Sequence, residues 1–101
     1  MSKIKVIIKR PESKPYVTNI SSTLKNLQNT VGGYVEMVKI ATDCVVICNE
    51  EGKVTELPYN CSIAGRHFFG TVIFAGVNRD GFDDIPIAFQ DFKKMFRNFF
   101  E

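Results

Sequence analysis

The chain has 101 residues, 45% of them apolar and 24% charged, with a formal net charge of +2. That composition describes one ordinary domain spanning residues 1–101, able to bury about 65% of its unfolded surface without disulfide or metal support. The small net charge excludes an acidic mimic of nucleic acid and does not by itself demand a nucleic-acid partner.

Lys3, Lys5 and Lys9 alternate with Ile4, Val6 and Ile8, a period of two that predicts a strand with one apolar and one mostly basic face. Arg10 to Pro15 holds two prolines and reads as a loop, and Tyr16 to Ile20 as the returning strand of a hairpin. Ser21 or Ser22 is the expected cap of a helix whose apolar face carries Leu24, Leu27 and Val31. Gly32 is its left-handed stop, and Gly33 releases the chain into a strand over Tyr34–Ala41. In that strand Val35 and Met37 face one side, Val38 and Ile40 the other, so both sides are covered or a bulge exchanges them.

Cys44 to Cys48 is apolar throughout and predicts a central strand buried on both faces. Asn49–Gly52 is a tight turn, and Lys53–Leu57 reads as a more polar edge strand. Pro58 to Arg66 is expected to be irregular, and Phe68–Val77 to be one long apolar strand with Gly70 marking a bulge or a close backbone contact. After a turn at Asn78–Gly81, Asp83 or Asp84 is expected to cap a last helix, with Pro86 in its first turn. The fold class is α+β: a twisted antiparallel or mixed sheet of five to six strands with two helices, in the order ββαββββα.

Three cysteines, Cys44, Cys48 and Cys61, cannot all pair, and Met1–Arg10 is too charged for a secretory leader. The expected setting is therefore reduced and cytoplasmic, with free buried thiols. No apolar run is long enough to span a bilayer, so no membrane partner is expected. Cys44 and Cys48 share a strand face about 13 Å apart, too far for one metal ion or one disulfide. No cofactor or metal is expected, since one histidine is not a ligand cluster. The only nucleophilic pairing available is Cys61 with His67, and it lacks a recognisable third group to orient the ring. Glu50-Glu51 and Asp83-Asp84 are read as turn formers and caps.

Three groups of residues are candidates for binding. Asn49, Asn60, Arg66 and Arg79 lie at strand ends, where a shallow anion or nucleotide pocket would form. A simpler reading has Asn49 and Asn60 tying down their own turns. Lys3, Lys5 and Lys9 project from the first strand and Lys93, Lys94 and Arg97 from the last helix; adjoining, they would make a phosphate-binding strip, and apart, a solvated surface. The final segment holds Phe82, Phe89, Phe92, Phe96, Phe99 and Phe100, six of the nine phenylalanines. One helix face does not hide them all, so Phe82, Phe89, Phe99 and Phe100 are candidates for a homodimer or partner-protein contact.

The order Val31-Gly32-Gly33-Tyr34-Val35-Glu36, Asn49-Glu50-Glu51-Gly52-Lys53, Leu57-Pro58-Tyr59-Asn60 and Gly70-Thr71-Val72 resembles a family of small proteins named only as a domain of unknown function, number thirty-eight forty-six. The likeness runs from Lys3 to about Phe96, and rests on the order and spacing of short motifs. Its recurrent positions, matched by Gly32, Gly33, Asn49, Glu50, Gly52, Pro58, Asn60 and Gly70, are mostly turn makers. The Phe-rich end and the Cys-Val-Val-Ile-Cys strand depart from the family pattern. The resemblance implies an origin in phages, plasmids and other mobile elements of bacteria, and no catalytic residue to carry over.

The resulting expectation is a non-enzymatic mobile-element protein that acts by binding, as an inhibitor of a host-defence system such as CRISPR-Cas. Its partner would be a host protein, a defence nuclease or its guide complex, with RNA contact through the lysines. The alternatives are a module that sequesters a nucleotide ligand, an accessory protein contacting RNA or DNA, or a hydrolase using Cys61 and His67.

Overall fold

Alternation decides the first layer. In the computed structural model, which describes residues 3–100, β1 (Lys3–Lys9) buries Ile4, Val6 and Ile8 on one face and Ile7 on the other. It pairs antiparallel with β2 (Tyr16–Ser21) across the expected proline-bearing loop. Thr23, rather than Ser21 or Ser22, caps α1 (Leu24–Val31): its hydroxyl accepts from the Asn26 backbone N–H at 3.2 Å. The helix stops at Gly32 as expected. Its buried residues are Leu27 and Val31, each contributing about 1.5–3 kcal/mol by burial. Leu24 is 59% exposed, because the helix rests on the sheet by its second turn onward.

β3 (Val35–Ala41) and β4 (Cys44–Asn49) form the next hairpin, with a register shift between Lys39 and Ala41. Both faces are covered: Val35 packs with the α1 side, Val38 and Ile40 with the opposite side. β4 is central as expected, and all five residues from Cys44 to Cys48 are buried.

Two expectations fail between residues 50 and 78. Lys53–Leu57 is not a strand but a run of turns, closed by Thr55 N–H donating to the Glu51 carbonyl (2.8 Å) and Leu57 N–H to that of Gly52 (2.9 Å). Its one β-branched apolar residue, Val54, is 80% exposed, so a ladder there would bury nothing. The segment expected to be irregular instead forms a hairpin of its own, β5 (Tyr59–Ile63) with β6 (Arg66–Phe69). The long apolar strand is thereby cut in two. Gly70, with φ of +81°, turns the chain out of β6, and β7 (Val72–Asn78) enters the main sheet.

β7 continues through a tight turn into β8 (Gly81–Asp83). All pairings are antiparallel, and the main sheet runs β2-β1-β7-β4-β3. Residues 72–74 of β7 pair with β1 and residues 76–78 with β8, so β1 and β8 share one edge of β7, end to end. The chain leaving β8 stays on β1, with Ile85 N–H donating to the Lys5 carbonyl and Lys5 N–H to Asp84 Oδ1, both at 2.8 Å. Asp83 and Asp84 are thus committed to this crossing and cap no helix. α2 (Phe89–Met95) starts at Ala88 without a side-chain cap, and a 3₁₀ turn follows at Arg97–Phe100.

Three layers result. α1 lies over Ile4, Val6, Ile8, Val45, Ile47, Ile73 and Ala75. On the other face, α2, the 3₁₀ turn and the β5–β6 hairpin bury Ile7, Cys44, Val46, Cys48, Val72 and Phe74. Phe74 is the centre of that layer, with ring centroids 4.9 Å from Phe92, 5.8 Å from Phe96 and 6.3 Å from Phe99.

A Cβ built on Gly76 would collide with the Asp84 carbonyl oxygen, so the crossing over β7 needs a residue without a side chain there. Gly76→Ala is expected to lose about 3 kcal/mol of stability in urea unfolding through overpacking against fixed backbone. Gly65→Ala, with open space but φ of +83°, should lose only about 1–2 kcal/mol. Equal losses for the two variants would remove the steric account.

Candidate functional site

A bulge builds one wide cleft. The β5–β6 register shifts between Tyr59 and Cys61, so two consecutive residues, Asn60 and Cys61, both turn inward. Asn60 is only 9% exposed. Its Nδ2 donates to the Lys9 carbonyl at 2.9 Å and to the Gly70 carbonyl at 2.7 Å. These bonds reach 51 and 10 residues away, so Asn60 does not tie down its own turn. Asn49 does: its Oδ1 accepts from Glu51 N–H at 2.8 Å, while its Nδ2 donates to the Val31 carbonyl at 3.2 Å.

Lys9 lies beside Asn60 and is 5% exposed, which corrects its expected place in a solvated strip. The 3₁₀ turn covers it: its ammonium stands 5.4 Å from the Phe99 ring centre and donates to the Arg10 carbonyl at 3.3 Å. Burial pulls the Lys9 ammonium below the usual lysine range, opposed by the charge interaction with Cys61. Lys9, Asn60, Cys61, Tyr59, Asn98 and Phe99 are among the residues that line a cleft of about 630 Å³.

The other expected site residues scatter. Asn49 and Arg66 line a smaller cleft of about 280 Å³ with Glu36 and His67, and Arg66 is engaged there by the Glu36 carboxylate at 2.8 Å. Arg79 lies in a third, beside Met37 and Asn78. Asn49, Asn60, Arg66 and Arg79 therefore do not converge on one pocket: the hairpin carries Asn60 near its open end and Arg66 beside its turn, in different clefts.

Cys61 and His67 also part company. In the β5–β6 ladder Cys61 faces Phe68, both buried, while Ser62 faces His67, both exposed. The thiol and the imidazole are on opposite faces of the hairpin, and the His67 ring meets Tyr59 instead, Nδ1 to hydroxyl at 3.4 Å. Burial pushes the Cys48 and Cys61 thiols up to about 11 and raises Cys44 as well. Among the described residues no group of three His, Cys, Asp or Glu is placed to hold a metal ion, and no helix is long and apolar enough to cross a membrane.

The phenylalanines are mostly interior. Phe99 is buried at 6% exposure, a correction to its expected role as a surface contact. Phe89 and Phe100 are half-buried against the same core, and Phe82 against the α1-side cluster. Exposed apolar side chains lie elsewhere and scattered, Val54, Tyr34 (67%), Met95 (60%), Leu24, Met37 (56%) and Tyr59 (49%) among them. Met95 was legible only as helix-face residue; its exposure follows from the short α2 turning into the 3₁₀ segment. Lys3 and Lys5 are exposed on the sheet face that carries α2, as are Lys93, Lys94 and Arg97 on the helix and turn themselves.

Two outcomes follow from this geometry. Thiol reagents at pH 8 should modify folded protein at the rate of its unfolding, since all three thiols are buried and disfavour the thiolate; rapid single-site labelling of Cys61 would contradict the burial. Asn60→Ala strips two carbonyls of their donor and should cost about 3 kcal/mol, against about 1 kcal/mol for Asn49→Ala at its half-buried turn, both read by urea unfolding.

Comparison with curated proteins and with solved structures finds no match. A family model does match, over residues 4–97. That span covers both helices, all of the sheet but Lys3, and the bulge cleft except Asn98 and Phe99, and the chain belongs to the family described as Domain of unknown function (DUF3846).

Proposed function

We propose that this chain is a non-enzymatic binding protein of a bacterial mobile element, and that it inhibits a host-defence system such as CRISPR-Cas by gripping an effector protein together with its guide RNA. One observation carries the reading. Basic groups from the two ends of the chain, Lys3 and Lys5 on β1 and Lys93, Lys94 and Arg97 on the last helical segment, are exposed on the same side of the sheet. Alternation puts Lys3 and Lys5 on the face of Ile7, and Ile7 packs in the same cluster as Phe92 and Phe99. Exposed lysines and arginines on one side offer a phosphate backbone several contacts at once.

The mobile-element setting is what the resemblance of the short motifs implies, and Met95, an exposed apolar side chain beside those cations, offers a protein contact. Lys93 is held by the aromatic rings it covers, 5.2 Å from the Phe89 centre and 5.8 Å from that of Phe100, so part of the charge is preorganised.

Expression in a bacterium with an active CRISPR-Cas system should restore plaquing of a targeted phage, and the triple variant Lys93→Glu, Lys94→Glu, Arg97→Glu should abolish that protection while still folding. Binding of the purified effector complex should weaken about twenty-fold between about 50 and 200 mM salt if three phosphates of the guide strand are contacted. Unchanged plaquing across a panel of defence systems, or binding indifferent to both salt and the triple variant, would overturn the reading.

A further inference from the structure

Burying an ammonium is costly unless a counter-charge and hydrogen bonds accompany it. Lys9 has neither in full. An ammonium carries three donors, and the bond made by Lys9 Nζ is the long one to the Arg10 carbonyl at 3.3 Å. The Phe99 ring at 5.4 Å offsets part of the cost of burial but accepts no directed bond. Among the described residues no carboxylate lies within 4.0 Å of it, and the ion pair there is Arg66 with Glu36, in another cleft. Glu12 and Lys14 both rim the Lys9 cleft and oppose each other in sign, which leaves Lys9 to set the charge of its floor.

Asn60 adds a second, independent deficit in the same lining. Both hydrogens of its Nδ2 are used on carbonyl oxygens, so the amide orientation is set: exchanging Oδ1 and Nδ2 would put an acceptor against two acceptors. Oδ1 is then left buried with no donor. A buried cation short of acceptors and a buried acceptor short of a donor line one open cleft of about 630 Å³, a volume that holds a small organic molecule. The exposed Tyr59 ring and the buried Phe99 ring flank it with apolar surface.

We propose that this cleft binds a small organic oxyanion, a phosphate monoester or a carboxylate on a flat body, with the anion on Lys9 Nζ. The Asn60 amide holds the Lys9 backbone in place for it, and a polar hydrogen of the ligand, or of a water bound with it, fills Oδ1. The site is separate from the outer face of the last helix, so it stands or falls apart from the defence-inhibitor reading.

The test is a titration of the full-length protein with phenyl phosphate, benzoate and uncharged benzamide, followed by amide and side-chain NMR. Phenyl phosphate, benzoate or both should produce saturable shifts at Lys9, Asn60 and Asn98, with benzamide silent; which of the two binds more tightly assigns the oxyanion. Lys9→Met, of similar length and uncharged, should fold at least as well and lose about tenfold or more in affinity, the loss expected for a charged hydrogen bond. Lys25→Met, at an exposed position on α1, should bind as wild type. In wild-type protein the Lys9 ammonium nitrogen should move with the same midpoint as the Asn60 side chain, a readout that needs no variant. No saturable shift at about 10 mM of either anion, equal shifts with benzamide, an unmoved Lys9 ammonium, or unchanged affinity in a folded Lys9→Met would each overturn the proposal.

Discussion

One buried amide joins two parts of this molecule that no strand ladder joins. Asn60 sits in the bulge of the β5–β6 hairpin, and its two N–H groups end on carbonyls of Lys9 and Gly70. Lys9 is the last residue of β1 in the main sheet, and Gly70 is where the hairpin ends. The amide therefore anchors the small sheet against the large one at the place where the chain passes from one to the other. A primary amide suits the task because it presents two donors in one plane. What depends on it is the burial of Cys61 and Phe68 in the core, and the covering of the Lys9 ammonium at the cleft floor.

The phenylalanine-rich end answers a packing problem on the same face. There the sheet presents Cys44, Val46, Cys48 and Val72, all small, around the single large ring of Phe74. Rings from the short α2 and the 3₁₀ turn occupy the depth those small side chains leave. Phe96 and Phe99 stack at 5.0 Å with an interplanar angle of 8°, and Phe92 meets Phe74 nearly edge-on at 75°. A seven-residue helix has little stability of its own. Its aromatic side chains hold it on the sheet, and its charged side chains are left on the outside. The two departures from the family pattern, the cysteine-flanked strand and the Phe-rich end, are thus two halves of one interface within the molecule.

Local signals were strong enough to place most elements. The first hairpin, α1 with its stop at Gly32, the doubly buried Cys44–Cys48 strand and a final aromatic helix all follow from periodicity and turn residues, which act over a few residues. The errors cluster where a segment's partner is distant. Phe68–Val77 reads as one strand because both halves are apolar; only the Gly70 turn assigns them to different sheets. Asp83 and Asp84 have the spacing of helix caps, yet their carboxylates are taken by Asn78, by the next residue and by Lys5.

The sequence alone therefore determined the fold class, the doubly covered central strand and the free, buried state of the thiols, because each depends on side-chain pattern within one element. Which polar residues meet was decided only by tertiary structure. Alternation placed Lys9 among the solvated lysines; the 3₁₀ turn, ninety residues later in the chain, covers it with Phe99. Asn60 looked like a turn residue until a bulge turned it inward onto β1. Burial of a polar group is a property of what lies over it, and in this molecule the covering segments come from the far end of the chain.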